Sequence, residues 1–372
     1  MSKRSSITVI AVFLAFLGLL LLLHVILPDR DFSERENRYL ERFPVFSFSA
    51  LQSGEFTKQI ESYTADHFPF RDQWITLKAL AELTAGRTEN NGVFLCGDML
   101  IEAFKKPDDE TLLKNINAVN SLTDAVNIPV CLALIPDKAQ IYADRLPKNA
   151  PNDSQSDVIS EIYDQVRADT AQIGSVLNDH KDEEIFYRTD HHWTALGAYY
   201  GSTALCKALD LTLSPLGSYE PKTVSTSFYG TEYASSGYTW IRPDSIERFV
   251  DDPGTLAIRN YRYSEPKKGT LYDESFLEKK DQYAMFLGGN TPLLQIETGK
   301  ENGKRLLLLR DSYADCLVPF LLPLYSEIHL IDLRYYKDSV TDYIAEYGID
   351  QVMILYSAAN FTNESNIPRM AR

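Results

Sequence analysis

The sequence predicts an α/β fold, a sheet with helices on both faces, and two observations carry that prediction. Apolar runs at residues 128–135, 305–309, 328–331 and 352–355 are each bounded by polar residues or glycine. Runs that are apolar throughout, instead of alternating, suit strands buried on both faces. Segments of helical spacing separate them, such as Leu112, Leu113, Ile116, Val119 and Leu122. The composition agrees: 372 residues, 44% apolar and 24% charged, describe a globular protein with an ample core.

The first element in the chain is of another kind. Residues 7–27 carry no formal charge and are interrupted in polarity only by Thr8, Gly18 and His24. Such a run is long enough to cross a hydrocarbon core of roughly 30 Å. Lys3 and Arg4 precede it, which puts residues 1–6 in the cytoplasm and the remainder outside. The run exceeds the roughly 7–15 residues of a signal-peptide core, and residues 24–29 offer no small-x-small site, so an uncleaved anchor is expected.

Residues 28–90 read as a helical neck. Phe56, Ile60 and Tyr63, then Trp74, Leu77, Leu80 and Leu83, mark two helix faces separated by Pro69. Asp66-His67 lies in the aromatic link between them, where a structural role is expected. Residues 91–372 form the α/β domain. It opens with a hairpin, Val93-Phe94-Leu95 and Met99-Leu100-Ile101 around Gly97-Asp98. The strand at 128–135 ends at Asp137-Lys138. Val158, Ile159, Ile162, Val166 and Ile173 mark a following helix, and residues 283–287 read as a strand. Residues 209–280 break the rhythm and read as an insertion of loops and short strands. Tyr229, Tyr233, Tyr238 and Trp240 within it suit either sugar stacking or packing.

A net charge of −15 with no basic stripe argues against nucleic acid as a partner. The four cysteines show no Cys-x-x-Cys; Cys131 lies in an apolar run and Cys206 on the apolar side of a helix, so they are expected as buried small hydrophobes.

Two stretches carry chemistry. Asp190-His191-His192-Trp193 places two of the chain's six histidines side by side, with Thr194 as N-cap of a helix over 195–206. The apolar run at 306–309 ends in Arg310-Asp311-Ser312-Tyr313, and residues 314–318 read as a helix. Serine, histidine and aspartate are the nucleophile, the base and the group that fixes the base's tautomer. Adjacent histidines seldom aim both rings at one ion, and no further cluster completes a ligand set, so neither metal nor cofactor is expected.

Asp190-His191-His192-Trp193 reads as a DHHW signature, and the chain resembles DHHW-family proteins. These are similar to the SGNH-hydrolase-like polysaccharide O-acetyltransferases of the bacterial envelope, among them the alginate acetylation proteins. Further blocks follow in the family's order: Glu36-Asn37-Arg38-Tyr39-Leu40 with Phe43-Pro44, Asp66-His67-Phe68-Pro69-Phe70-Arg71-Asp72, Asn91-Gly92-Val93-Phe94-Leu95 and Ile135-Pro136-Asp137-Lys138. The resemblance implies an SGNH-hydrolase-like sheet with a permuted motif order, the Asp-His block preceding the serine. It assigns Ser312 as nucleophile, His192 as base and Asp190 as orienting acid, with His191 a bystander. Ser312, opening a helix, would turn its backbone N–H toward an oxyanion. Asn290 is the candidate second donor, and Trp193 and Tyr229 are candidates on the substrate side. One departure stands out: Arg310 replaces the glycine of the usual Gly-Asp-Ser.

The implied function is a membrane-anchored, extracytoplasmic O-acyltransferase or acetylesterase acting on hydroxyls of a cell-surface polysaccharide. Acetyl-CoA is absent outside the cell, so a membrane-bound acyl-donor protein is implied as partner. The alternative is a non-catalytic envelope protein that binds glycan or the acetyl-donor complex. Turnover of a small activated acetyl ester discriminates the two.

Overall fold

The computed structural model describes residues 3–33, 38–262, 265–301 and 303–372. Met1 and Ser2 of the expected tail, and Glu36 and Asn37 of the first family block, lie outside the described residues. The chain divides into two compact units, residues 1–90 with 234–239, and residues 91–233 with 240–372.

The first unit is helical. Helix Lys3–Ile26 contains one segment, Ser5–Ile26, long and apolar enough to cross a membrane. A short helix, Phe48–Ser53, starts where Ser47 accepts a hydrogen bond from the Ala50 N–H. Helices Glu55–Asp66 and Arg71–Thr84 follow. Pro69 and the left-handed Phe70 (φ 60°) break the chain between them.

The second unit is built on one eight-stranded sheet. In chain order its strands are β1 (Val130–Ile135), β2 (Asp169–Ala171), β3 (Ala257–Asn260), β4 (Lys267–Lys268), β5 (Leu293–Glu297), β6 (Arg305–Arg310), β7 (Glu327–Ile331) and β8 (Gln351–Ser357). Their spatial order is β4-β3-β5-β7-β6-β8-β1-β2. Strands β7, β6, β8, β1 and β2 run parallel, and β5, β3 and β4 extend the sheet antiparallel. Neighbouring residues of a strand face opposite sides. Every residue of β1 and β8 is buried, so both faces are covered. Leu306 to Leu309 in β6 are wholly buried, and each contributes about 2 kcal/mol through its removal from water. The expected hairpin forms between Val93–Cys96 and Met99–Glu102, with Gly97 left-handed at its turn.

Three expectations are corrected. Residues 283–287 are not a strand: Gln282–Met285 form a 3₁₀ turn, and the neighbouring strand is β5. The apolar run is there because its side chains are buried in a turn packed on the site. The helix expected through Ile173 stops at Tyr163. The Tyr163 hydroxyl accepts from the Leu134 N–H and donates to the Ala171 carbonyl, both at 2.9 Å, linking β1 to β2. A second helix then covers Ile173–Asp179. Residues 314–318 likewise divide, into a 3₁₀ turn Ser312–Ala314 and the start of a short helix Val318–Leu321.

Candidate active site

The Asp-His loop is closed at its base by backbone bonds. Tyr187 N donates to His192 O at 3.2 Å and Thr194 N to Ile185 O at 2.9 Å. Thr194 then caps helix Ala195–Ala208 by accepting from Gly197 N at 3.2 Å. Glycine is required at position 201: a Cβ there would lie 2.6 Å from the Trp193 indole. That indole has no exposed surface, and its Nε1 donates to Tyr313 O at 2.9 Å. Trp193 therefore ties the histidine loop to the serine turn, and it presents no surface to a substrate.

Asp190 is buried and fully engaged. Its Oδ1 accepts from His192 N at 3.0 Å and His192 Nδ1 at 2.6 Å. Its Oδ2 accepts from Thr231 N at 2.8 Å and Thr231 Oγ1 at 3.1 Å. Burial alone raises the carboxyl's pKa, but the two imidazoles and the bonds from His192 and Thr231 outweigh it and hold the group well below the carboxylate range. Gly230 lies against this carboxylate so closely that any Cβ would collide with Asp190 Cβ and Oδ2.

An ionised carboxylate only accepts, so His192 Nδ1 carries the proton and Nε2 presents its lone pair. Nε2 stands 2.7 Å from Ser312 Oγ. The imidazole stacks on Tyr283, with ring centres 3.9 Å apart and planes within 10°. The Tyr283 hydroxyl meets the Ser312 carbonyl oxygen at 3.0 Å and Cys316 Sγ at 3.2 Å. One side chain thus supports both the His192 imidazole and the Ser312 backbone.

Ser312 opens the turn that follows β6. Asp311 caps that turn, its Oδ1 accepting from Tyr313 N at 3.0 Å. Its Oδ2 accepts from Ser357 N and Asn360 Nδ2, both at 2.8 Å, and so fixes the turn to the end of β8. Arg310 keeps strand pairing with Leu355 and does not have a positive φ, so the glycine of Gly-Asp-Ser is not needed here. Its buried guanidinium pairs with Asp315 at 3.0 Å. Burial pushes Asp315 up to about 7 despite that partner.

The remaining candidates divide. His191 lies beside the relay, its ring centre 3.9 Å from that of His192 and its Nδ1 2.7 Å from Thr231 Oγ1. Burial and the neighbouring His192 push its pKa down. Donor atoms of Asp190, His191 and His192 lie within 4.8 Å of one another. Both His192 nitrogens are already engaged, so a cation there would have to break the contact with Asp190 or with Ser312. Asn290 is exposed, and its Oδ1 accepts from Arg310 at 3.4 Å. Tyr229 is half-buried beside Tyr233, 4.3 Å between ring centres, with the Lys280 ammonium 5.6 Å from its ring. Thr231, Gly230 and Tyr283 carry no signal in the sequence as site residues, since each acts through a neighbour far along the chain.

A sheet covered on both faces, with a serine turn at one strand end and an imidazole–carboxylate loop facing it, defines an SGNH-hydrolase-like protein. The chain belongs to the family of the SGNH hydrolase-like domain of the acetyltransferase AlgX, whose model matches residues 90–275, half of its length. Ser312 lies beyond that match. A solved DHHW family protein from Eubacterium siraeum is similar at 25% identity and a TM-score of 0.64, covering 76% of this chain and 95% of that one. Bacillus cereus PatB1 shares the fold at 18% identity and a TM-score of 0.62, over 74% and 98% of the two chains. Among curated proteins, "Probable alginate O-acetylase AlgJ" of Pseudomonas syringae is 23% identical over 244 residues. That match covers 58% of this chain and 61% of the relative, so the chain spans less than two thirds of its length.

Proposed function

We propose that the protein is an O-acetyltransferase of a cell-surface polysaccharide, working through Ser312, His192 and Asp190. The observation that carries this is the continuous relay from Ser312 Oγ through His192 to Asp190, with links of 2.7 and 2.6 Å. Ser312 Oγ attacks the carbonyl carbon of a donor's acetyl ester as its proton passes to His192 Nε2. The carbon–oxygen bond to the donor breaks, and His192 returns the proton to the departing oxygen. A hydroxyl of the polysaccharide, deprotonated in turn by His192, takes the acetyl group and restores the serine. The Ser312 N–H, at the first position of its turn, has no partner within that turn and is the first oxyanion donor. Asn290 is the candidate second donor: its carboxamide oxygen faces Arg310, and its Nδ2 hydrogens are the ones that would donate.

The family's acetyltransferase description and the relatives' alginate O-acetylase name support this chemistry and a glycan acceptor. Residues 7–27 are the anchor, residues 28–90 the neck, and residues 91–372 the catalytic domain outside the cytoplasm, fed by a membrane-bound acyl donor. The test is Ser312→Ala. Losing one hydroxyl at a helix start costs on the order of 1 kcal/mol of stability. Losing a triad nucleophile lowers the chemical rate by roughly a million-fold. A folded Ser312→Ala chain that turns over acetyl esters like wild type sinks the reading. External protease on intact protoplasts should degrade the large domain; a form beginning near Asp29 and released to the medium would replace the anchor with a cleaved signal.

A further inference from the structure

Lys138 and Glu232 are buried charges to which the serine chemistry assigns no part. They pair with each other, and their side chains are 2% and 3% exposed. Such a pair is a weak source of stability, because desolvating both charges offsets their attraction. What it joins is more telling. The Lys138 ammonium donates to Leu100 O at 2.7 Å, to Tyr187 O at 3.0 Å and to Glu232 Oε2, which uses its three protons.

Each partner leads to Asp190. Tyr187 opens the loop that carries Asp190, and Leu100 N donates to Arg188 O of that loop at 2.8 Å. Glu232 directly follows Thr231, whose N–H and hydroxyl hold Asp190 Oδ2. The stretch bearing Glu232 is stitched to the same loop: Gly230 N donates to Thr189 Oγ1 at 3.1 Å, and Tyr233 N donates to Thr189 O at 3.0 Å. Glu102 N closes the frame by donating to Glu232 Oε1 at 3.3 Å. One ammonium therefore binds the segment that presents the carboxylate to the segment that receives it, at a place where Gly230 leaves no slack.

We propose that Lys138 and Glu232 are positioning residues for the acyl transfer: their pair sets the angle at which Thr231 holds Asp190, and through Asp190 the orientation of His192. Neither residue touches the reacting atoms. The proposal rests on the serine reading above, and its test separates the two.

The probe is phenylmethanesulfonyl fluoride with the full chain in detergent micelles. The Ser312 Oγ–sulfur bond forms, the sulfur–fluorine bond breaks, fluoride leaves and the serine proton goes to His192. The variant Lys138→Met with Glu232→Gln removes both charges and keeps both volumes. Its maximal rate of sulfonylation should fall by about 10- to 100-fold, the scale of a small misplacement of catalytic groups. Half-saturating reagent and melting temperature should stay near wild type. Glu232→Gln alone, whose carboxamide oxygen still accepts from Lys138, should keep more of the rate. A merely structural pair gives the opposite pattern: a lower melting temperature and less labelled protein, but an unchanged rate in the folded fraction. A double variant that reacts at the wild-type rate overturns the proposal alone. A wild-type chain left unlabelled at Ser312 overturns the serine reading and this proposal together.

Discussion

The chain holds three aspartate–histidine neighbours, at 66–67, 179–180 and 190–191, and the first and last have different fates. In the helical unit, Asp66 accepts from Arg38 Nη1 at 2.9 Å and from Glu41 N at 2.8 Å, and does not hold the adjacent imidazole. His67 directs Nε2 to the Glu41 carbonyl at 2.9 Å and Nδ1 toward Asp29 at 3.5 Å. Both nitrogens face oxygen acceptors, and neither is turned to a serine hydroxyl. In the α/β unit the aspartate takes one nitrogen of His192 and a serine meets the other. The difference teaches that proximity in sequence is not the active feature. A base is made when its orienting partner and its proton source lie on opposite sides of the ring.

The largest expected effect that would break this contrast is Asp190→Asn. The amide holds the imidazole in the wrong tautomer, and acetyl-ester turnover should fall about 10⁴-fold with the fold intact. Turnover within ten-fold of wild type would mean that Asp190 plays the same structural part as Asp66. Next comes Tyr283. Tyr283→Ala removes the stacked ring and the bond to Ser312 O and should cost about 100-fold in kcat, whereas Tyr283→Phe keeps the stack and should cost about ten-fold. Equal losses would show that stacking contributes nothing.

Effects in the helical unit should appear in stability instead. The bond from Arg38 holds the Asp66 carboxyl down to about 2, against the smaller upward push of burial. A depressed folded pKa stabilises above the unfolded value, near 4, and that contribution is lost as pH falls through about 2. Arg38→Met should therefore cost about 1–2 kcal/mol at neutral pH, discounted for the half-exposed arginine, and the gap to wild type should close in acid melts. A gap that stays constant down to pH 2 assigns the loss to packing. The smallest effect is His67→Gln, which should cost about 1 kcal/mol for one hydrogen bond and leave turnover per folded molecule unchanged. A drop in turnover would make His67 a participant.

Much of this was legible in the residues. The strands at 128–135, 305–309, 328–331 and 352–355 were marked because a strand covered on both faces must be apolar throughout. Asp190, His192 and Ser312 are marked by their motifs, and His192 lies within hydrogen-bond reach of both the others. Other features left no trace. The run at 283–287 has the composition of a strand, because burial selects the same residues in a 3₁₀ turn as in a sheet. Thr231 and Glu232 sit in an insertion without periodicity, and only the folded contact with Asp190 and Lys138 gives them meaning. The insertion also supplies the β3–β4 hairpin to the sheet, and the pairing of β3 with β5, far along the chain, is encoded by no local pattern.

The placement of β6 has a consequence for the order in which the protein comes to life. The strand that ends in the serine lies between β7 and β8, so its second neighbour is made only when residues 351–357 are available. Asp311 then fastens the serine turn to Ser357 and Asn360, among the late residues of the chain. Contacts between distant segments form slowly, because the chain's loop entropy must first be overcome. During synthesis the Asp-His loop emerges first and Ser312 120 residues after His192. A partly emerged chain therefore lacks the contact between Ser312 and His192, which is completed only late in folding.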